Sequence, residues 1–136
     1  MPYDGSNYSN NAFYAALEIA VKFESKITIA TCLFRSPEEE PFYISEHAKI
    51  IDELKNNSMK ELNKLQNVAA TKKVSVEARI MSCNSVIETL TTFANANKVD
   101  LIVMGTRGKT GFKPILLGSV SIGVSQYASC PILLVK

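Results

Sequence analysis

A chain of 136 residues, 46% of them hydrophobic, can bury one sizeable core, and a single domain over residues 1–136 is the expectation. Its 15 basic and 13 acidic residues nearly cancel to a net charge of +2 and form no run able to track a phosphodiester backbone, so nucleic acid is not an indicated partner. No apolar stretch approaches the roughly 18 residues of a membrane span and no signal-peptide pattern opens the chain, which points to the cytoplasm.

Ala12, Ala15, Ala16, Ile19, Ala20 and Phe23 recur at helical spacing and predict a first helix from Ser9 to Phe23, with Ser6 or Ser9 as its cap. Lys26 to Leu33 is short, apolar and β-branched, as suits a strand covered on both faces. Ser36 to Pro41, with three glutamates and two prolines, reads as an exposed loop. A long amphipathic helix follows from Ile44 to about Ala70. From Val74 to Ile80 apolar and polar residues alternate, the pattern of a strand with one wet face, as at a sheet edge. Asn84 or Ser85 then caps a helix that runs out at Asn95 to Asn97. Leu101 to Met104 is a continuous apolar run ending at Gly105, the signature of a central parallel strand. Ser119 begins a last helix to about Ala128, and Pro131 opens a strand of Ile132 to Val135. Strands alternating with helices predict a doubly wound α/β domain with a mostly parallel sheet, whose ligand crevice lies outside the carboxyl ends of the strands.

The remaining chemistry is sparse. Cys32, Cys83 and Cys130 have no paired spacing for a metal or a redox dithiol and read as reduced packing residues. His47 is the only histidine, no nucleophile elbow accompanies it, and a surface or helix-edge role is expected; no catalytic or metal residue is assigned. What stands out is the crossing from the apolar strand to the last helix: Gly105, two residues, Gly108, nine residues, Gly118, Ser119. Glycine lets backbone N–H groups approach an anion closely, and a helix starting at Ser119 presents unpaired N–H groups and the positive end of its dipole, with the Ser119 hydroxyl as a further donor. Arg107, Lys109 and Lys113 either neutralise phosphate charge or are solvated loop cations. The plain alternative is architectural: Gly105 ends a strand, Gly108 and Gly111 make turns, and Ser119 is an ordinary cap. Gly108-Lys109-Thr110 is not a Walker motif, because Val103 stands where that pattern needs glycine.

These residues resemble the universal stress proteins, specifically their ATP-binding branch. The likeness rests on Gly105, Gly108, Gly118 and Ser119, on the flanking Val99 to Met104 and Leu116 to Val120, and on the opening Asp4-Gly5-Ser6. It implies a Rossmann-like open parallel sheet of about five strands and four helices, similar to adenine nucleotide alpha hydrolases. It further implies an ATP-binding stress-response regulator, with or without Mg²⁺; a slow ATPase and a non-nucleotide-binding structural dimer of the same fold are the alternatives. By the resemblance Asp4 hydrogen-bonds the adenine with Pro2 beside it, Cys32 lies against the ring, and Met104 and Gly105 border the nucleotide. Gly108, Gly118, Ser119 and Val120 hold ribose and phosphates, with Arg107 counted among the contacts. The final strand, Ile132 to Val135, pairs with its copy in a homodimer. Family members begin with a longer apolar strand; only Met1, Pro2 and Tyr3 precede Asp4 here, so a shortened sequence or a sheet closed in some unusual way is expected.

Overall fold

The structure is a computed structural model that describes residues 1–34, 44–109 and 116–136, with the side chains of 44–48 outside the description. The expected loop from Ser36 to Pro41, the His47 side chain, Thr110, Gly111, Phe112, Lys113, Pro114 and Ile115 therefore fall outside the described residues.

In chain order the elements are α1 (Asn7–Phe23), β1 (Ile27–Phe34), α2 (Ile44–Thr71), β2 (Val76–Cys83), α3 (Val86–Ala96), β3 (Ile102–Gly105), α4 (Ser119–Tyr127) and β4 (Ile132–Val135). α1 starts at Asn7, ahead of the predicted Ser9, because the Ser6 hydroxyl accepts the Ser9 N–H at 3.1 Å. It stops where Glu24 turns left-handed, at φ 51°, and returns its N–H to the Ala20 carbonyl. Replacing Ser6 by alanine should cost about 1 kcal/mol, readable as a lower urea midpoint with an unchanged slope. An unchanged midpoint would mean the cap contributes nothing.

β2 begins later and ends later than the Val74 to Ile80 expected from alternation. Lys73 adopts φ 60° and the Val74 N–H bonds the Ala69 carbonyl, so both residues belong to the turn that closes α2 and not to the strand. β1 and β2 pair in parallel from Ile27 opposite Val76 to Phe34 opposite Cys83, which carries β1 one residue past Leu33. Glu77 and Arg79 on β2 are exposed and form an ion pair, as the wet face of an edge strand requires. β3 and β4 form a second parallel pair, Ile102 opposite Ile132 through Gly105 opposite Val135. α4 ends at Tyr127, one residue before the predicted Ala128.

The N-terminal segment lies along the free flank of β1. Pro2 bridges Ala30 in parallel, the Tyr3 N–H donates to the Ala30 carbonyl, and the Ala30 N–H donates to the Met1 carbonyl, each bond 2.9 Å. Among the described residues, four strands plus this bridge stand where about five strands were expected.

Alternation along the strands sorts the core into two layers. Ile27, Ile29 and Val103 point to one face, where Ala12, Phe13, Ala16 and Leu17 of α1 and Leu62, Leu65 and Ala69 of α2 cover them. Ala30, Ile102 and Met104 point to the other, under Leu90 and Ala94 of α3 and Val124 of α4. Both layers draw on β1 and on β3, so the two strand pairs share one doubly wound α/β core. No helix among the described residues is long and apolar enough to cross a membrane.

Candidate functional site

A cleft of about 690 Å³ opens at the carboxyl ends of β1 and β3, the place where a doubly wound sheet leaves room for a ligand. Pro2, Asp4, Cys32, Met104, Gly105, Arg107, Gly108, Gly118, Ser119 and Val120, all singled out from the sequence, line it. Lys109 joins them. Sequence reasoning missed Tyr3, Ser9, Ala30, Phe34, Val86, Leu90 and Ser121, which complete the wall. Phe34 carries one usable signal, its position at a strand's carboxyl end. Val86 and Leu90 read only as a helix core face, and nothing local marks them.

The first polar feature of the cleft is made of backbone. Peptide groups alternate sides along a strand, so if those of Ala30 face the N-terminal segment, those of Cys32 face the same flank one rung further on. The N-terminal segment leaves that flank at Asp4 to enter the turn before α1, while the Thr31 hydroxyl donates to the Tyr3 carbonyl at 3.0 Å. Among the described residues no strand continues opposite Cys32, and its N–H and C=O form an open rung at the edge of the cleft.

The second feature is the start of α4. Gly118 is the N-cap, so Ser119 is the first helical residue, and no side chain caps the helix among the described residues. The Gly118 N–H and the Ser121 hydroxyl both donate to the Thr106 carbonyl, at 2.7 and 2.9 Å, and the Thr106 N–H donates to Val135 at 2.8 Å. These bonds pin the helix start to the ends of β3 and β4, and the first-turn amides face outward from a fixed base.

The three signature glycines have different reasons to be glycine. A Cβ on Gly105 would stand 2.7 Å from Tyr8 Cβ and 2.8 Å from the Tyr8 carbonyl carbon, so its role is close packing of α1 on β3. A Cβ on Gly108 would meet Asp4 Oδ2 at 2.7 Å. Gly118 is unlike both: the nearest atom to its Cβ position is Arg107 Cα at 3.4 Å, an ordinary contact, and its φ of −75° suits any residue. Among the described residues, packing leaves a Cβ room there, on the wall of the cleft.

Charge in the cleft is arranged by hydrogen bonds. Burial works to raise the Asp4 pKa, but bonds from Ser6, Ser9 and the Lys109 N–H outweigh it and hold the carboxyl below its ordinary 3.8. Whatever Asp4 contributes to stability is thus fully present above 3.8 and is lost only as pH falls through the depressed folded value. The Arg107 guanidinium lies over the Tyr8 ring, 5.6 Å from its centroid, a cation–π contact that holds it at the cleft wall. Burial pushes the Cys32 thiol up to about 12, aided by the Cys83 thiol beside it, so Cys32 stays protonated and serves as a soft, apolar surface. All three cysteines are free.

Fold and cleft together define a class: parallel α/β proteins with a cleft at the sheet's carboxyl end, walled by a helix N-terminus and a strand edge. The family model of the universal stress proteins matches residues 1–136, and the chain belongs to that family. It is 36% identical over 142 residues to universal stress protein YxiE of Bacillus subtilis, covering 98% of this chain and 94% of the relative. Universal stress protein UspA from Lactobacillus plantarum superposes with a TM-score of 0.92 at 21% identity, over 99% of this chain and 94% of that one. A universal stress protein in complex with cAMP superposes with a TM-score of 0.70 at 26% identity, over 100% of this chain and 93% of that one.

Proposed function

We propose that the cleft binds an adenine nucleotide, ATP with or without Mg²⁺, and that the protein is a cytoplasmic stress-response regulator whose conformation or partner choice follows nucleotide occupancy. The observation that carries this reading is Gly118: it stands at an uncapped helix start on the cleft wall, and among the described residues no neighbour comes closer than ordinary contact to the place a side chain would take. At the other end of the cleft, the open N–H and C=O of Cys32 match the acceptor and donor on the Watson–Crick edge of adenine, as another strand would. Cys32, Met104, Val86 and Leu90 offer the apolar surface a purine needs. The related universal stress protein solved with cAMP supports an adenine nucleotide as the ligand class.

The proposed assembly is a homodimer through Ile132 to Val135. β4 pairs with β3 on one flank, and among the described strands none covers the other. A second copy of the same edge would satisfy those backbone groups. Light scattering that finds only monomers at micromolar concentration would remove this part of the reading.

The test of nucleotide binding is to denature the purified protein, identify the released small molecules by mass spectrometry, and titrate the nucleotide-free protein with ATP, AMP and cAMP by calorimetry. Release of an adenine nucleotide, or a saturable heat with ATP, supports the proposal. An empty extract together with no heat from any of the three would overturn it.

A further inference from the structure

Two cysteines far apart in the sequence meet on one face of the sheet. In the parallel pairing of β1 with β2, Cys32 stands opposite Met81 and Phe34 opposite Cys83. Partners in register share a face and side chains alternate along a strand, so Cys32, Met81 and Cys83 all point to the side that α3 and α4 cover. Cys32 and Met81 both pack against the buried core of that layer. Cys83 is only 3% exposed, and its thiol lies beside that of Cys32. Cys32 in turn lines the cleft, so the three sulfurs have an opening on one side and a buried floor on the other.

Two neighbouring thiols can close a disulfide or share a cation, and distance decides between the two. Residues offset by two positions on adjacent strands have Cα atoms about 8 Å apart, given a rise of about 3.3 Å per residue and a strand spacing of about 4.8 Å. A disulfide spans no more than about 7 Å unless the backbone moves. Here the ladder is paired through both positions, which holds the backbone in place. A cation adds reach, because two metal–thiolate bonds of about 2.3 Å keep sulfurs up to about 4.6 Å apart. The donors then select the ion. Thiolate and thioether sulfur favour Cu(I), whereas structural zinc takes four nitrogen, sulfur or oxygen donors and harder ions take oxygen. Among the described residues no group of three or more His, Cys, Asp or Glu stands together to supply such a set. Burial also holds the proton on Cys32, so only an ion that bonds strongly to thiolate displaces it.

We infer that Cys32, Cys83 and Met81 form a three-sulfur site for Cu(I), entered from the cleft. The ion replaces the proton on each thiol, so two S–Cu bonds form and two protons are released, while the Met81 thioether donates a lone pair and loses nothing. Copper stays Cu(I) and no group is oxidised. The site stands independently of the nucleotide reading, and a purine seated against Cys32 would cover its entrance.

The test is an anaerobic titration of the reduced, nucleotide-free protein with Cu(I) against a competing chelator, bathocuproine disulfonate, followed by X-ray absorption at the copper edge. The expected result is one equivalent of copper per chain, held by three sulfur neighbours. Cys32→Ser and Cys83→Ser should each lose about a hundredfold or more in affinity, Met81→Leu roughly tenfold, and Cys130→Ser less than about twofold. Circular dichroism shows whether the Cys83→Ser chain folds; if it does not, Cys32→Ser at the cleft wall and the absorption spectrum of the parent protein still decide. No retained copper, nitrogen or oxygen in the coordination shell, fewer than three sulfurs, or full affinity in folded Cys32→Ser would each overturn the site.

Discussion

Replacing Gly118 by valine should abolish nucleotide binding, a loss of about a hundredfold or more, while the protein stays folded. The backbone at this position has φ −75° and ψ 159°, extended geometry that β-branched residues adopt readily. A Cβ would meet Arg107 Cα at 3.4 Å and the Thr106 carbonyl at 3.5 Å, contacts of ordinary length. The fold therefore loses only what a poor N-cap costs, about 1 kcal/mol. The two methyl groups, however, would add bulk to the cleft wall at the start of α4, where the proposed phosphates sit. Calorimetry with ATP and circular dichroism on the same sample separate the two effects. Native affinity in the folded variant would move the phosphate site away from α4.

Gly105→Ala is expected to do the reverse and damage the fold itself. Its Cβ would lie 2.7 Å from Tyr8 Cβ, 2.8 Å from the Tyr8 carbonyl carbon and 2.9 Å from its oxygen. Two of those three atoms are helix backbone, so no rotamer change relieves the clash. Relief requires α1 to lift from β3, and α1 carries Phe13 and Leu17 into the core against Ile29 and Val103. Overpacking of this kind costs about 3 kcal/mol or more, a large share of the roughly 5–15 kcal/mol that holds a domain folded. Urea denaturation measures it directly, and a midpoint within error of the parent would show that α1 adjusts at no cost. The pair makes a sharp contrast, because two glycines of one signature would fail in opposite assays.

That contrast also shows where one-dimensional reasoning stopped. The spacing of Gly105, Gly108 and Gly118 singles out all three, and the structure brings them to one cleft. Spacing has no means of telling a glycine that accommodates a neighbouring helix from one that leaves space for a ligand. Only the position of Tyr8, far away in sequence, separates Gly105 from Gly118. Asp4 is a similar case. Its place before α1 is legible, but its bond to the Lys109 amide joins the end of the N-terminal segment to the loop after β3, 105 positions away.

Element types and order were legible because hydrophobic period, caps and breakers are local and strong here: Ser6 and Ser85 do cap their helices, and β-branched runs do form strands. The limits of β2 were less so, since Lys73 in a left-handed turn and the Val74 bond to Ala69 prolong the end of α2, and no periodicity announces a helix's last turn. The sequence by itself determined the parallel α/β class and the residues that carry the glycine signature, because both are written in nearest-neighbour chemistry. Tertiary structure alone decided the apolar wall of Phe34, Val86 and Leu90, the open rung at Cys32 and the distinct duty of each glycine. These depend on which atoms from remote segments come within contact distance, and that is settled only when the sheet closes and the helices pack upon it.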